Sequence, residues 1–255
     1  MSKAVFFVNW EQSPHLTQEA KESMLLSIPP WQRRSRTEGI PQLGTGTIYN
    51  VPVEEFVIEN VQLQPYWPRC FSLDVGWKIN AVVFGAIDKD SGTLFIYDEI
   101  YKSHSEPTVI ASAIKARGNW IPGTVDPASR GRSQKDGTTL LGIYRDLGLD
   151  LRPANNAVES GILKVWEMLS QGQIKVFKRC QNLLAEYHLY RRDKNGRVVK
   201  ANDHALDALR YMVMSGMDRA ALEPSKRSGG RNWYDWNAAD HPFDMPMTGR
   251  SSSAS

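Results

Sequence analysis

The sequence predicts an α/β domain with a mixed central sheet, an antiparallel three-strand meander plus parallel strands, flanked by helices. Between residues 69 and 101 three apolar, strand-like runs follow one another with short connections, which is typical of an antiparallel meander. From residue 107 onward, helix-like segments alternate with short strand-like runs, which is typical of strands joined by helical crossovers.

The elements follow from local patterns, taken in chain order. The meander strands are CFSLDVG, starting at Cys70, INAVVFGAID over 79–88, and TLFIYDEIY over 93–101, with the turn KDSG between the last two. The later elements are predicted as a helix over 107–117, a strand ending at Asp126, a helix over 138–147, a strand over 149–153, a helix over 159–171, a strand over 174–177, a helix over 180–190, an Asn-Gly hairpin over 193–200 and a helix over 202–216.

Composition changes along the chain predict three regions. Residues 1–60 contain a short strand, a helix over 17–26 with Thr17 as its N-cap, and a Gly/Pro-rich passage, which together would bury little surface alone. Residues 61–217 carry the regular α/β pattern. Residues 218–255 lose periodicity and gain Gly, Ser and Pro, which predicts a flexible C-terminal tail.

Charge and cysteine content narrow the class of protein. The net charge of +3 is too small to indicate a partner, but residues 175–200 contain eight basic residues against two acidic ones. The two cysteines, Cys70 and Cys180, form no CxxC pair, so a zinc site is not expected and a reducing, cytoplasmic compartment fits. No apolar stretch approaches the length of a membrane helix, and no membrane association is predicted.

Three aspartates stand out because they end or interrupt core elements. Asp74 ends an apolar strand before Gly76, and Asp126 ends another strand. Asp207 lies too far into the predicted helix 202–216 to serve as a first-turn residue, and helix interiors disfavour aspartate. Carboxylates that converge repel one another unless a cation lies between them, and their hard oxygens suit Mg²⁺ or Mn²⁺. Each of Asp74 and Asp126 alone is also compatible with an ordinary turn or cap residue.

Nearby residues extend this candidate site. Asp203 shares a helix face with Asp207 and is expected in the first helical turn, and adjacent His204 is either a proton carrier or a capping residue. Glu99 is a weaker candidate, because strand alternation separates it from Asp98. Basic residues that could contact a phosphate backbone follow Asp126 or precede Asp207, namely Arg130, Arg132, Lys135, Arg191, Arg192 and Lys200. The basic run is also compatible with a solvated surface.

Several other chemistries lack their sequence motifs. The chain contains no GxxxxGK[ST] phosphate loop and no GxGxxG after a strand. It contains neither a GxSxG nucleophile elbow nor an HExxH zinc motif, which argues against serine hydrolases and zincins.

The order strand-Asp, antiparallel meander, strand-Asp and helix-Asp resembles the RNase H-like nuclease fold. Between about residues 70 and 214 the segments FSLDVGW, GTVDPAS, GLDLRPANNAVESGILKVWEML, IKVFKRCQNLLAEYHLYRRD and KANDHALDALRYM resemble the C-terminal nuclease domain of the large terminase subunit of tailed bacteriophages. VNWEQSPHL and the segment after it resemble the end of that family's ATPase half, so residues 1–60 are expected to be a remnant of its lid or linker. The family's metal-binding acids fall on Asp74, Asp126 and Asp207.

The resemblance implies a metal-dependent endonuclease that cuts concatemeric double-stranded DNA during packaging in the cytoplasm of an infected bacterium. The expected cofactors are two Mg²⁺ or Mn²⁺ ions, about 3.5–4 Å apart as in two-metal phosphodiesterases. The implied partners are double-stranded DNA, the portal protein and the small terminase subunit. Two alternatives stay open: another RNase H-like nuclease, such as a junction resolvase or transposase-type enzyme, and a non-catalytic DNA-binding or docking module.

Overall fold

The computed structural model describes residues 10, 16–28, 37, 46–76, 78–131 and 138–224. The chain divides into two units, residues 1–223 and 224–255, and the elements given below all lie in the first. None of the helices in these described ranges is both long and apolar enough to cross a lipid bilayer. The predicted strand near the N-terminus and residues 225–255 of the predicted tail lie outside the described residues.

The helices and strands match the predicted order closely. The strands are β1 Gly46–Thr47, β2 Val57–Ile58, β3 Arg69–Val75, β4 Ile79–Asp88, β5 Thr93–Ser103, β6 Gly123–Val125, β7 Leu151–Pro153, β8 Ile174–Phe177 and β9 Arg191–Arg192. The α-helices are α1 Gln18–Ser27, α2 Val53–Phe56, α3 Pro107–Lys115, α4 Leu140–Asp146, α5 Val158–Ser170, α6 Gln181–Leu189 and α7 His204–Tyr211. Short turns of other helix types occupy Pro127–Arg130, Met212–Gly216 and Met217–Arg219.

Seven strands form one mixed sheet in the order β2-β8-β5-β4-β3-β6-β7. The three central strands β5, β4 and β3 are the predicted antiparallel meander, and the outer pairs, β2/β8, β8/β5, β3/β6 and β6/β7, are all parallel. The interior residues of β3 are buried on both faces of the sheet, because helices cover both sides. The polar side chain at its C-terminal end, Asp74, is therefore also buried.

The predicted boundary between residues 60 and 61 falls inside the packed domain. Ile48, Tyr49 and Phe56 are at most 3% exposed in the same core as the central strands, and β2 pairs in parallel with β8. Apolar residues on both sides of the boundary are buried in this core, so the described part of the core extends upstream to Ile48.

The predicted start of the tail at residue 218 is also too early. Arg69 and Ala221 exchange both backbone hydrogen bonds, at 2.7 and 3.0 Å. The Arg219 guanidinium pairs with Asp150, its Nη2 lying 2.7 Å from Oδ1. These contacts attach residues 219–221 to the domain, and residues 225–255 lie outside the described part of the chain.

The last helix begins later than predicted. Asn202 has a positive φ of 53°, a conformation that interrupts a helix, and Asp203 becomes the N-cap of α7. The carbonyl of Asp203 accepts the first helical hydrogen bond from the N–H of Asp207, at 2.7 Å. Asp207 therefore lies in the first turn of α7, and its predicted place in the helix interior is wrong.

A buried hydroxyl pair joins β3 to β6 two residues before the aspartates at their ends. Ser72 Oγ and Thr124 Oγ1 are 2.6 Å apart, and both residues are 0% exposed. Gly216 packs over them, and a Cβ on Gly216 would lie 3.2 Å from Ser72 Oγ. Each hydroxyl depends on the other, because burial removes both from water.

We expect Ser72→Ala and Thr124→Val each to lower the free energy of unfolding by about 1–3 kcal/mol, since each leaves one buried hydroxyl without its partner. The double variant should cost clearly less than the sum of the two, because it removes both polar groups together. Urea denaturation of the four proteins tests this cycle. Strictly additive losses would show that the two hydroxyls do not depend on each other.

Candidate active site

Asp74 and Asp126 are neighbours because β3 and β6 run parallel. Leu73 is paired with Val125 in the register, and the N–H of Asp126 donates to the carbonyl of Leu73 at 3.2 Å. The two aspartates are therefore the next residues at the same edge of the sheet. The sequence predicted that these two carboxylates converge, and the backbone ladder between β3 and β6 is what makes them neighbours.

Asp207 completes the group from α7, which packs across β3 and β4. Burial, and then the negative charges of Asp126, Asp207 and Asp74, raise the pKa of the Tyr211 hydroxyl, so all three carboxylates lie near one phenol. Asp74 and Asp207 are each only 8% exposed. The three carboxylates therefore lie near enough to influence the same phenol and the pKa of Asp74.

His204 at the first position of α7 contacts Asp74. Its Nδ1 lies 2.9 Å from Asp74 Oδ2, and this hydrogen bond raises the pKa of His204. Burial raises the pKa of Asp74, and the charges of Asp207 and Asp126 raise it further, against the opposing effect of His204. Only one Asp74 oxygen has a side-chain partner among the described residues, so the other can bind a ligand.

Asp126 is both a cap and a free carboxylate. Its Oδ1 accepts a hydrogen bond from the N–H of Ala128 at 3.0 Å, which stabilises the short helix Pro127–Arg130. Its other oxygen has no hydrogen-bond partner within the described ranges. Arg130 is exposed at the end of this turn, whereas Arg132 and Lys135 lie outside the described residues.

Asp207 has a cation against each carboxylate oxygen. Arg210 Nη2 lies 3.0 Å from Oδ1, and Lys200 Nζ lies 3.0 Å from Oδ2. Lys200 Nζ is also 3.2 Å from Oδ2 of Asp203. Burial lowers the pKa of Lys200, but the carboxylates of Asp207 and Asp203 raise it by more, so the pKa of Lys200 is raised overall.

Arg210 is a buried side chain that holds the carboxylate of Asp207. It is 1% exposed, its Nη1 donates to Asn156 Oδ1 at 3.0 Å, and its guanidinium lies over the Tyr211 ring. Its stem crosses Gly161 on α5, where a Cβ would lie 2.6 Å from Arg210 Cγ. Glycine at this position therefore allows the arginine to reach Asp207.

The carboxylates of Asp74, Asp126 and Asp207 have the chemistry to bind a divalent cation, provided that Lys200 moves away from Asp207. Within the described ranges, no group of three or more Asp, Glu, His or Cys side chains is arranged to hold a metal ion as it stands. Asp207 has both oxygens directed at cationic side chains, whereas Asp74 and Asp126 each keep an oxygen without a side-chain partner. Hard oxygens from three aspartates suit Mg²⁺ or Mn²⁺ once Lys200 gives up its contact.

The match to known proteins covers this region. A sequence model described as "Terminase RNaseH-like domain" matches residues 72–215, more than half of the chain, including all three aspartates. The chain belongs to the terminase RNaseH-like domain family.

The terminase large subunits of Salmonella phage P22 and Enterobacteria phage LP7 are each 31% identical to this family member over 208 residues. The alignment covers 78% of this chain but 42% and 44% of theirs, so the chain spans less than half the length of these relatives.

Solved structures agree with the family's fold. The nuclease domain of the P22 large terminase matches with a TM-score of 0.64 and 30% identity, covering 71% of this chain and 96% of that one. The large terminase of a thermophilic bacteriophage matches at 22% identity with a TM-score of 0.64, covering 80% of this chain and 53% of that one. The predicted RNase H-like fold is confirmed.

In this terminase domain, α7 is anchored by Glu186, a residue that the sequence reasoning missed. The Glu186 carboxylate is 3% exposed and accepts hydrogen bonds from three successive N–H groups of α7, those of His204, Ala205 and Leu206, at 3.2, 2.7 and 3.1 Å. The Tyr101 hydroxyl donates to the same carboxylate at 2.8 Å. Glu186 thus caps α7 from another helix, because Asp203 makes no side-chain cap bond.

Glu99 has the same role one helix earlier. Its carboxylate accepts from the N–H and side-chain amide of Asn182, both at 2.7 Å, and from the N–H of Leu183 at 3.0 Å. Glu99 therefore caps α6, which carries Glu186, and belongs to the support of the site.

The sequence contained a signal for Glu186. This acid comes three residues after buried Leu183 and next to buried Tyr187, so it lies on the apolar face of its helix.

The predicted DNA-binding arginines of β9 differ from each other. Arg192 has both terminal nitrogens against the Glu159 carboxylate, at 2.9 and 2.6 Å, and its side chain is 11% exposed. Arg191 is exposed, and no ion pair involves it among the described residues. Arg192 is thus bound to Glu159 on α5, whereas the charge of Arg191 has no such partner in the described part of the chain.

We expect Glu186→Ala to lower the free energy of unfolding by about 2–4 kcal/mol, because three helix N–H groups and the Tyr101 hydroxyl lose their acceptor. Glu186→Gln should lose less, because its amide oxygen still accepts hydrogen bonds.

Urea denaturation measures these changes, with Glu54→Ala on the exposed face of α2 as the control. A Glu186→Ala change within about 0.5 kcal/mol of that control would contradict the capping role.

Proposed function

We propose that this chain acts as the endonuclease domain of a phage terminase large subunit, cutting double-stranded DNA by divalent-metal-dependent hydrolysis of phosphodiesters. One observation carries the proposal: Asp74, Asp126 and Asp207 come together from two parallel strands and a helix, inside the segment that matches the terminase family. Three hard carboxylates, of which those of Asp74 and Asp207 are buried, suit metal-assisted phosphoryl chemistry.

The protein residues have distinct tasks in this proposal. Asp74, Asp126 and Asp207 supply the oxygens that would hold two ions. When bound, such ions lower the pKa of a water for attack on phosphorus and stabilise the leaving 3′-oxygen. His204 holds one oxygen of Asp74, and Arg210 holds one oxygen of Asp207, so each carboxylate keeps a defined orientation. No covalent intermediate with the protein is required.

The substrate would be held by its backbone. Arg130 at the end of the turn after Asp126 and Arg191 on β9 are exposed cations beside elements that carry or precede the site. Arg132 and Lys135 are proposed to act with them from the same loop. Such contacts bind phosphates without reading bases, which suits cutting with little sequence preference.

The biological setting follows from the family. The relatives are terminase large subunits, so we propose that this domain cuts concatemeric phage DNA in the infected bacterial cytoplasm. The portal protein and the small terminase subunit are its proposed partners. Residues 1–60 are proposed to include part of the connection to an ATPase domain, although residues from Ile48 onward contribute side chains to the nuclease core.

The central test is loss of DNA cutting when each aspartate is neutralised. Asp74→Asn, Asp126→Asn and Asp207→Asn should each lower Mn²⁺-dependent cleavage of plasmid DNA by more than about 100-fold, because each removes a charged ligand that is worth several kcal/mol. Asp146→Asn, at an exposed position in α4, is the matched control. Circular dichroism verifies that each variant is folded.

The outcomes separate the three predicted functions. Full activity in any one variant would remove that residue from the site. A strong preference of the unaltered protein for branched over linear duplex DNA would favour a junction resolvase. DNA binding without cleavage in Mg²⁺, Mn²⁺ or Co²⁺ would favour a non-catalytic module.

A second test uses the difference between the two arginines of β9. Arg191→Ala should weaken duplex DNA binding and reduce the slope of log affinity against log salt by about 1, as expected when a single phosphate interaction is removed. Arg192→Ala should instead lower the free energy of unfolding, because it removes a mostly buried side chain with its hydrogen bonds to Glu159 and to the Gly196 carbonyl. Fluorescence anisotropy over a salt series measures the slope, and an unchanged slope for Arg191→Ala would exclude this interaction.

A further inference from the structure

Asp203 and Asp207 lie one helical turn apart on α7, and the exposed ammonium of Lys200 lies between them. The two acids are 6% and 8% exposed, and Lys200 Nζ lies 3.2 Å from Oδ2 of Asp203 and 3.0 Å from Oδ2 of Asp207. Asp203 Oδ2 is fully buried and accepts no hydrogen bond in the described structure. The contact at 3.2 Å is thus an ion pair whose angles fall outside those of a hydrogen bond.

The two cations beside Asp207 are not equivalent. Arg210 is buried, stacked on Tyr211 and hydrogen-bonded to Asn156, so it is a fixed part of the helix packing. The Lys200 side chain is 56% exposed and reaches the acids from the chain segment that precedes α7. An exposed lysine on a flexible four-carbon stem can leave without disturbing the core.

We propose that Asp203 and Asp207 form a cation subsite, and that the Lys200 ammonium occupies it until a divalent metal ion takes its place. The proposal rests on the metal-dependent function proposed above and adds Asp203 to the metal ligands. It assigns Lys200 as an internal competitor of the metal.

Charge and ligand chemistry favour the replacement. Lys200 and Arg210 together balance the charges of Asp203 and Asp207, but Asp74 and Asp126 add negative charge nearby. A divalent ion in place of the ammonium adds one more positive charge to offset them. A hard cation also binds oxygens that hydrogen-bond geometry leaves unsatisfied, as at Asp203 Oδ2. The released ammonium would then be free to contact a DNA phosphate, which is the role predicted for Lys200 from the sequence.

The test measures Mn²⁺ binding directly, by electron paramagnetic resonance of free Mn²⁺, on the full chain without DNA. Lys200→Gln should bind Mn²⁺ about tenfold more tightly, the order expected on removing one nearby competing charge. Asp203→Asn should bind it several-fold more weakly. Lys194→Gln in the neighbouring turn removes the same charge without an acidic partner in the described structure, and it should match the unaltered protein.

Thermal unfolding adds a second readout. Without metal, Lys200→Gln should melt below the unaltered protein, because the carboxylates lose their internal cation. Its gain in Tm on adding Mn²⁺ should exceed that of the unaltered protein. Asp203→Asn probes the subsite independently if Lys200→Gln does not fold.

The results distinguish this proposal from the metal-dependent function itself. If the unaltered protein binds no more Mn²⁺ than Asp74→Asn and Asp207→Asn do, the metal-dependent function fails. If it binds Mn²⁺ and Lys200→Gln binds no more tightly than Lys194→Gln, Lys200 is not a competitor and the subsite proposal is overturned. Unchanged affinity in Asp203→Asn overturns it equally.

Discussion

The candidate site depends on one buried interaction, the capping of α7 by Glu186. A helix that begins with three unsatisfied N–H groups in a buried position needs an acceptor, and Asp203 does not supply it with its side chain. Glu186 supplies it from α6, and α6 is itself capped by Glu99 from β5. A central strand therefore determines, through two carboxylates, where Asp207 lies.

The same region concentrates charge that would be unfavourable without compensation. Four aspartates lie in this region, at positions 74, 126, 203 and 207; those at 74, 203 and 207 are buried, and burial makes repulsion among these charges costly. The structure offsets this charge with side chains from α7 or just before it: His204 beside Asp74, Arg210 below Asp207, and Lys200 between the last two acids. The domain can therefore fold without a bound metal ion, because these three side chains offset the negative charge of the aspartates.

Local patterns in the sequence were sufficient for the meander, the parallel strands and the positions of Asp74 and Asp126, because burial of β3 and β6 imposes apolar runs that end at these two acids. They were insufficient for Glu186, whose partners are backbone groups that only the tertiary fold brings near. The start of α7 was misjudged because Asn202 adopts a positive φ that residue type alone does not require. Lys200 was predicted to contact DNA because the sequence shows its charge but does not show its ion pairs with Asp203 and Asp207.

The three aspartates differ in how they are held, and this difference has a mechanical consequence. Asp74 and Asp126 extend from hydrogen-bonded parallel strands, so their separation is set by the backbone. Asp207 reaches them from a helix that is oriented by side-chain contacts, with Glu186 at its end and Arg210 against Gly161. Side-chain contacts yield more readily than a sheet ladder. A small movement of α7 would therefore change the distance from Asp207 to the other two acids while leaving the pair at the sheet edge intact.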